Sequence, residues 1–227
     1  MAVFIFGRSN SSPLFNETFS EASWADIIKA CQMDAIPNTW DIADQKAMTI
    51  NGVEYQVAII GKHHDAYSDG TGKAPITFQL RDCYGTDAQM NASGTNVGGW
   101  GASDMRNIHL PAILSAMPTD VKAAIREVNK LTAVNSVITT TADKLFLLSQ
   151  VEVLNSTPYS TPGEGTQYKF YANGRSPVKT KNGDEMNWYN RSPMKDSSSS
   201  FCLIGANGSA TAANSAYSRA ISFAFCF

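Results

Sequence analysis

The chain has 227 residues, 43% of them apolar, enough to bury a sizeable core without disulfide or metal staples. Only 17% are charged and the formal net charge is -2, so no strong field points to nucleic acid or to an anionic membrane surface. Asn, Ser, Thr and Gly supply the polarity instead, and neutral amides and hydroxyls suit sugars or protein surfaces better than phosphates.

The opening run Met1-Ala2-Val3-Phe4-Ile5-Phe6 is too short for a signal peptide and has no basic residue ahead of it, and no later run could span a bilayer. Synthesis in the cytoplasm without a signal peptide, and no membrane insertion, are the expectations. Residues 1–20 read as a leader or attachment segment, through which a homo-oligomer could form, and residues 21–227 as one domain. A helix is expected from Ser20 or Ser23, with Trp24, Ile27, Ile28 and Cys31 on one face. Asn51-Gly52, between Met48–Ile50 and Val53–Ile60, is the clearest hairpin signal, because Asn-Gly supplies the positive φ angles of a type I′ turn.

His63, His64, Asp65 and Asp69 share a polar loop ahead of a strand at 76–80. Adjacent His side chains on a strand point apart and no further ligand follows at a diagnostic spacing, so a structural loop is favoured over a metal site. Gly72-Lys73 is no phosphate loop, since Tyr67 stands where its first Gly belongs and Ala74 where Ser or Thr belongs. Residues 82–102 form a long loop anchored by Trp100, of the kind that is either functional or tied down by its own hydrogen bonds.

Beyond it, Met105, Ile108, Ala112 and Ile113 predict a helix face kinked at Pro111, and Pro118-Thr119 a second helix with Val121, Ala124, Ile125 and Val128 inward. His109 reads as a core histidine. Residues 136–141 and 143–148 read as strands, Ser149-x-x-Glu152 as a capping box, Tyr168–Tyr171 as a short strand and 173–185 as polar loop. Three further strands are expected around Trp188-Tyr189-Asn190-Arg191-Ser192-Pro193, Phe201–Ile204 and Ile221–Phe227, forming a sheet that displays polar loops. In the first, Trp188 is expected to be buried and Tyr189 and Asn190 exposed.

The four cysteines, Cys31, Cys83, Cys202 and Cys226, include no Cys-x-x-Cys pair and read mostly as buried thiols. A Cys202–Cys226 bridge stays open, though a reducing compartment argues against it.

Several blocks together resemble a domain family of unknown function common in gut bacteria and their phages. They are Gly72-Lys73-Ala74-x-Ile76-Thr77-Phe78, Met90-Asn91 with Thr95-Asn96-x-Gly98-Gly99-Trp100, and Ser103-x-Met105-Arg106. Asp143-Lys144-x-Phe146-Leu147-Leu148-Ser149-x-x-Glu152, Trp188-x-x-Arg191-Ser192-Pro193 and a closing Phe-x-Phe-Cys complete the set. The Trp-x-x-Arg-Ser-Pro block is also similar to the C-type lectin fold of formylglycine-generating enzyme relatives and of variable proteins diversified by retroelements. That resemblance implies an α+β, C-type lectin-like domain, with two or more helices packed on short, mainly antiparallel strands with long loops. It also implies a ligand-binding face in the C-terminal part, where Asn182, Asn187, Asn190, Asn207 and Asn214 fall. Calcium-dependent lectin triplets are missing, and the apolar flanks of Cys202 and Cys226 would silence their thiols.

The expected function is therefore a non-enzymatic display domain, on a phage tail or related particle, that recognises a cell-surface glycan or protein. Its ligand-binding residues would be Tyr189, Asn190, Asn207, Asn214 and Tyr217, with no catalytic residue, metal or cofactor, while Arg106 and Arg191 would be structural. The alternatives are a structural tail or baseplate decoration without its own ligand and a formylglycine-generating-type enzyme.

Overall fold

The computed structural model describes residues 17–227. The expected leader at 1–20 lies mostly outside them. Its described end belongs to the packed unit: Phe19 is buried, 5.6 Å from the Trp40 ring and 6.0 Å from Phe78, and Trp40 Nε1 donates to the Glu17 carbonyl.

Strands dominate. The described residues are 34% strand and 19% helix, the strands among them lie in antiparallel sheets and the helices are few and short, so the expected α+β, C-type lectin-like arrangement of helices packed on strands is not what forms. The longest helix, α1 (Trp24–Gln32), starts as its sequence directs: Ser23 Oγ accepts the Asp26 amide at 3.1 Å, and Ile27 and Cys31 turn inward. β1 (Gln45–Ile50) and β2 (Val53–Lys62) pair across Asn51 and Gly52, at φ 50° and 76° as the turn requires. β3 (Ile76–Leu80) follows, buried along its whole length.

The main sheet runs β1-β2-β3-β12-β6, with β6 (Leu145–Leu147) and β12 (Phe223–Cys226) drawn from distant parts of the chain. Phe78 stacks on Phe225 at 5.2 Å, a cross-strand aromatic pair that fixes the register of β3 against β12. The closing strand is thus in a different sheet from the other C-terminal strands. β9 (Trp188–Pro193), β10 (Ser200–Ile204) and β11 (Ala210–Asn214) form a separate three-stranded sheet in the order β11-β10-β9.

Four local expectations change. The stretch after Val128 is β4 (Val128–Val134), a strand that pairs with β5 (Val137–Asp143) through Asn135 and Ser136, both at positive φ. The polar stretch 173–185 contains a hairpin, β7 (Lys179–Lys181) and β8 (Asp184–Met186), turned by Asn182-Gly183 at φ 55° and 92°. Tyr168–Tyr171 is not a strand: α6 (Lys169–Ala172) occupies it. The helical run after α2 (Gly99–Ala102) opens with a π-helical turn at Met105–His109 before α3 (Leu110–Ala116), where Pro111 cannot donate a backbone hydrogen bond. That extra residue rotates the face, so Met105 and Ile113 are buried while Ile108 is 58% exposed. His109, in the same turn, is only half-buried. α4 (Thr119–Ala124) follows, and α5 (Gln150–Leu154) carries the full capping box, Ser149 Oγ accepting the Glu152 amide and Glu152 Oε2 the Ser149 amide.

Lys179 sits in the β7 position nearest the core, 4% exposed, with Nζ donating to the carbonyls of Leu80 at 2.7 Å and Arg81 at 3.0 Å. Burial disfavours its charged form and brings its pKa down to about 7. Between pH 7 and the ordinary lysine range the unfolded chain keeps a proton that the folded chain has shed, so stability rises with pH there. Burial pushes the Cys83 thiol up to about 11 and, with Asp34 adding to it, the Cys31 thiol up to about 12, which reverses the trend above pH 9. The midpoint of thermal unfolding is expected to rise from pH 7 to pH 9, and Lys179→Met to remove that rise.

Candidate binding face

The motif blocks meet in the interior. Arg191 is fully buried, and its guanidinium donates to Glu152 Oε2 at 2.5 Å and Oε1 at 2.9 Å, and to the carbonyls of Leu131, Leu147 and Glu164. Lys130, 2% exposed, lies 2.6 Å from Asp65 Oδ1 and 2.8 Å from Glu152 Oε1, with the Tyr168 hydroxyl at 3.0 Å. Asp65 also accepts from Thr77 Oγ1 at 2.6 Å. Gly165, at φ 109°, passes so close that a Cβ would stand 2.8 Å from Glu152 Oε1. Asp143 ties the other blocks, accepting from Trp100 Nε1 at 3.0 Å and Arg106 Nε at 2.6 Å. Arg106 and Arg191 therefore hold carboxylates and backbone carbonyls, the structural contacts their motifs led us to expect; Arg191 is fully buried, whereas Arg106 is a quarter exposed.

Of the five expected ligand residues, two are in the core. β9 is buried at every position, so Tyr189 and Asn190 are as inaccessible as Trp188. The Tyr189 hydroxyl donates to the carbonyls of Asn214 at 2.9 Å and Tyr217 at 2.8 Å, and neither amide atom of Asn190 has a hydrogen-bond partner among the described residues. A strand enclosed on both faces does not alternate, which is why the expected exposure of these two fails.

The remaining three do not form one cluster. Asn207 is exposed in the β10–β11 turn, where its Oδ1 accepts from the Ser209 amide and hydroxyl. Asn214 and Tyr217 lie at the other end of β11, roughly 15 Å away by the rise of an extended strand. Asn214 is half-buried and its Oδ1 accepts the Ala216 amide, whereas Tyr217 is 57% exposed with the Arg219 guanidinium 5.5 Å from its ring.

What Asn214 and Tyr217 do join is the 82–102 loop. The Met90 and Asn91 amides donate to the Ser215 carbonyl, Ser215 Oγ donates to Ser93 O, and a Cβ on Gly94 would stand 2.9 Å from Asn214 Nδ2. Asn96 fastens the serine loop: its amide donates to Ser198 O at 2.8 Å, and Nδ2 to Ser197 O at 2.7 Å and Ser200 O at 2.8 Å. Ser215 N in turn donates to Ser199 O at 2.8 Å. The 93–97 loop is thereby locked to two loops about a hundred residues further on, which flank the β10–β11 hairpin. A cleft of about 280 Å³ opens between the 93–97 loop, the serine loop and the β4–β5 turn, lined by Asn96, Asn135, Ser136, Thr161, Lys195 and Asp196 among others, with Val97 66% exposed at its rim. Asn96, Val97 and Arg219 were not among the expected ligand residues, because the hydrogen bonds that bring them together join residues about a hundred or more apart.

Among the described residues no group of three or more His, Cys, Asp or Glu could hold a metal, and His63 Nε2 pairs with Asp34 Oδ1 at 2.7 Å while His64 stacks on Tyr168 at 4.1 Å. The four cysteines are free, and Cys202 and Cys226 sit in different sheets. Burial pushes both of these thiols far up, so they stay protonated at neutral pH.

No curated protein and no solved structure matches the chain. A family model does match, across residues 75–227, and that span takes in the Lys130–Glu152–Arg191 network, the Trp100–Asp143 tie and all three loops of the face. With well over half of its length covered, the chain belongs to the family described as Domain of unknown function (DUF6273).

Proposed function

We propose that the protein is a non-enzymatic recognition domain that binds a cell-surface glycan or protein through the face made by residues 93–97, 194–199 and 214–219. The observation that carries this reading is the cross-linking of the three loops, Asn96 to Ser197, Ser198 and Ser200, and Ser215 to Ser93 and Ser199, with a cleft between the first two of them. A surface made of loops but held by backbone hydrogen bonds is preorganised, which lowers the ordering cost of binding. Half of the cleft's lining residues offer amides and hydroxyls, chemistry that matches sugar hydroxyls, beside Lys195 and Asp196; Val97 adds apolar area at its rim, and Tyr217 is exposed on the 214–219 loop of the same face. The placement of the domain on a phage tail or related particle rests on the resemblance of the motif blocks alone.

Replacing Val97 and Tyr217 by Ala and Asn135, whose φ of 49° Gly tolerates, by Gly is expected to leave the unfolding midpoint within a few degrees, because surface changes usually cost within about 0.5 kcal/mol each. Binding to bacterial cells or to a glycan array should fall at least about tenfold, since a few central groups dominate a contact. Full retention of binding by the triple variant would remove the face from consideration. Asn207→Ala, at the far end of β11, should bind as the parent does.

A further inference from the structure

β4 and β5 form a two-stranded ribbon in unbroken register from Val128–Asp143 to Val134–Val137, and β5 is its outer strand. Among the described residues, 137–141 make no backbone hydrogen bond outside that pairing. Arg106 Nη2 meets the edge only past them, at the Ala142 carbonyl.

An open edge offers a row of amides and carbonyls to any extended chain, and proteins ordinarily blunt it with charges, proline, a bulge, a short strand or a covering element. Other edges in this fold are treated in that way. β1 is covered by the segment around α1, with Trp24 Nε1 donating to Ala47 O at 3.0 Å and Lys46 Nζ to Ser20 O at 3.1 Å. β9 is tied through its Tyr189 and Arg191 amides to Ala220 O and Leu148 O, and β8 is three residues long and carries Asp184 and Glu185. β11 is open, but alanines fill positions 210, 212 and 213 of its five residues, and alanine favours strands poorly.

β5 has none of these devices. It runs Val137-Ile138-Thr139-Thr140-Thr141, β-branched at every position, with no proline, no bulge and no charge before Asp143, which is turned inward to Trp100 and Arg106. Val137 is 65% exposed, and Leu131, opposite Thr140 on β4, is 38% exposed. An edge left to water is the ordinary reading of a short hairpin. An uncharged, β-branched edge of seven residues is instead the kind that natural sequences protect unless it is paired.

The strand's own composition selects the occupant. Turned about a two-fold axis normal to the sheet, β5 meets itself antiparallel. About Thr139, Val137 comes opposite Thr141 and Ile138 opposite Thr140; about Thr140, Ile138 comes opposite Ala142 and Thr139 opposite Thr141. Neither register sets like charges against each other, and each gives β-branched cross-strand pairs. Both open edges are satisfied together and the contact closes on itself, as in the commonest oligomers.

We propose that β5 is a self-association site, pairing edge to edge with β5 of a second copy into one four-stranded sheet. A single pair of strands buries less than a standard interface of about 800 Å² per partner, so the dimer is a weak one. The inference does not depend on the recognition face.

Sedimentation equilibrium of the full chain from about 5 to about 500 μM tests it. The weight-average mass should climb from 24.5 kDa towards twice that value, and the amides of residues 137–141 should exchange more slowly at the concentrated end. Thr140→Lys, a change at an exposed side chain, brings two ammonium groups together across the axis. It should leave the unfolding midpoint of the dilute protein unchanged and weaken association at least about tenfold. Thr211→Lys, on the open edge of β11, should associate as the parent does. A mass fixed at 24.5 kDa, as when another protein or another segment of the chain takes the edge, would overturn the proposal. So would a dimer that Thr140→Lys leaves intact or that Thr211→Lys breaks.

Discussion

Arg191→Ala is expected to remove about 3–5 kcal/mol of stability, because it strips the bidentate partner from a carboxylate that cannot reach water. Glu152 is 2% exposed and shared between Arg191 and Lys130. Burial alone would raise its pKa, yet the charges of Arg191 and Lys130 outweigh burial and hold it below the ordinary value. Without the guanidinium, the carbonyls of Leu131, Leu147 and Glu164 also lose a donor inside the core. Against a total stability of about 5–15 kcal/mol, a loss of this size leaves a marginal fold, and in a domain of this size it lowers the unfolding midpoint by roughly 6–20 °C. Arg191→Lys should recover only part of it, since an ammonium cannot reproduce the planar fork. Urea titration measures the difference. A loss below about 1 kcal/mol for the Ala variant would mean that the network is a satisfied ornament of the core and not one of its supports.

Local signals in the sequence were legible wherever a single residue type decides the geometry. Ser23 and Ser149 cap helices as expected because a hydroxyl at that position answers a free amide two or three residues on. Asn51-Gly52 turned the first hairpin, and the same dipeptide at 182–183 turns β7 onto β8 within a stretch read as loop, since its three-residue strands are too short to show alternation. The α+β expectation failed for a related reason. Strands of three to seven residues, scattered from 128 to 226, leave weaker periodicities in the sequence than the helical runs at 24–32 and 105–124, although they make up more of the described fold.

The candidate face was legible in part. Tyr217 is displayed, and the 82–102 loop has the hydrogen-bonded anchoring that its length and Trp100 suggested. Tyr189 and Asn190 were misplaced because β9 lies between β10 and the interior, where polar residues are covered on both sides. No local pattern tells that Asn96 will meet the serine loop about a hundred residues away, or that Asn207 and Asn214 will stand at opposite ends of one strand.

The sharpest test of the buried charges is Lys130→Met, which is expected to reverse the sign of Asp65's contribution to the response to acid. In the native chain, burial pushes the Asp65 carboxyl up, but the Lys130 charge and the hydrogen bonds from Lys130 and Thr77 more than offset it, and the pKa falls to about 2. The unfolded carboxyl titrates near 3.8, so the unfolded chain takes up a proton first as the pH drops. Stability from this group is complete above that value and is lost as the pH falls towards 2. Removing Lys130 leaves Asp65 with burial, Thr77 and the Tyr168 hydroxyl, and leaves a second carboxylate, Glu152, close by with only Arg191 opposite it. Burial then governs, the folded pKa of Asp65 moves above 3.8, and the folded chain becomes the one that binds the proton first. The variant should lose about 3–5 kcal/mol at pH 7, the cost of an uncompensated buried charge, and its deficit against the parent should narrow as the pH falls from 7 to 4. Urea midpoints at pH 7, 6, 5 and 4 separate the two behaviours. A variant that weakens in parallel with the parent as the pH falls would show that Lys130 does not set the charge state of Asp65.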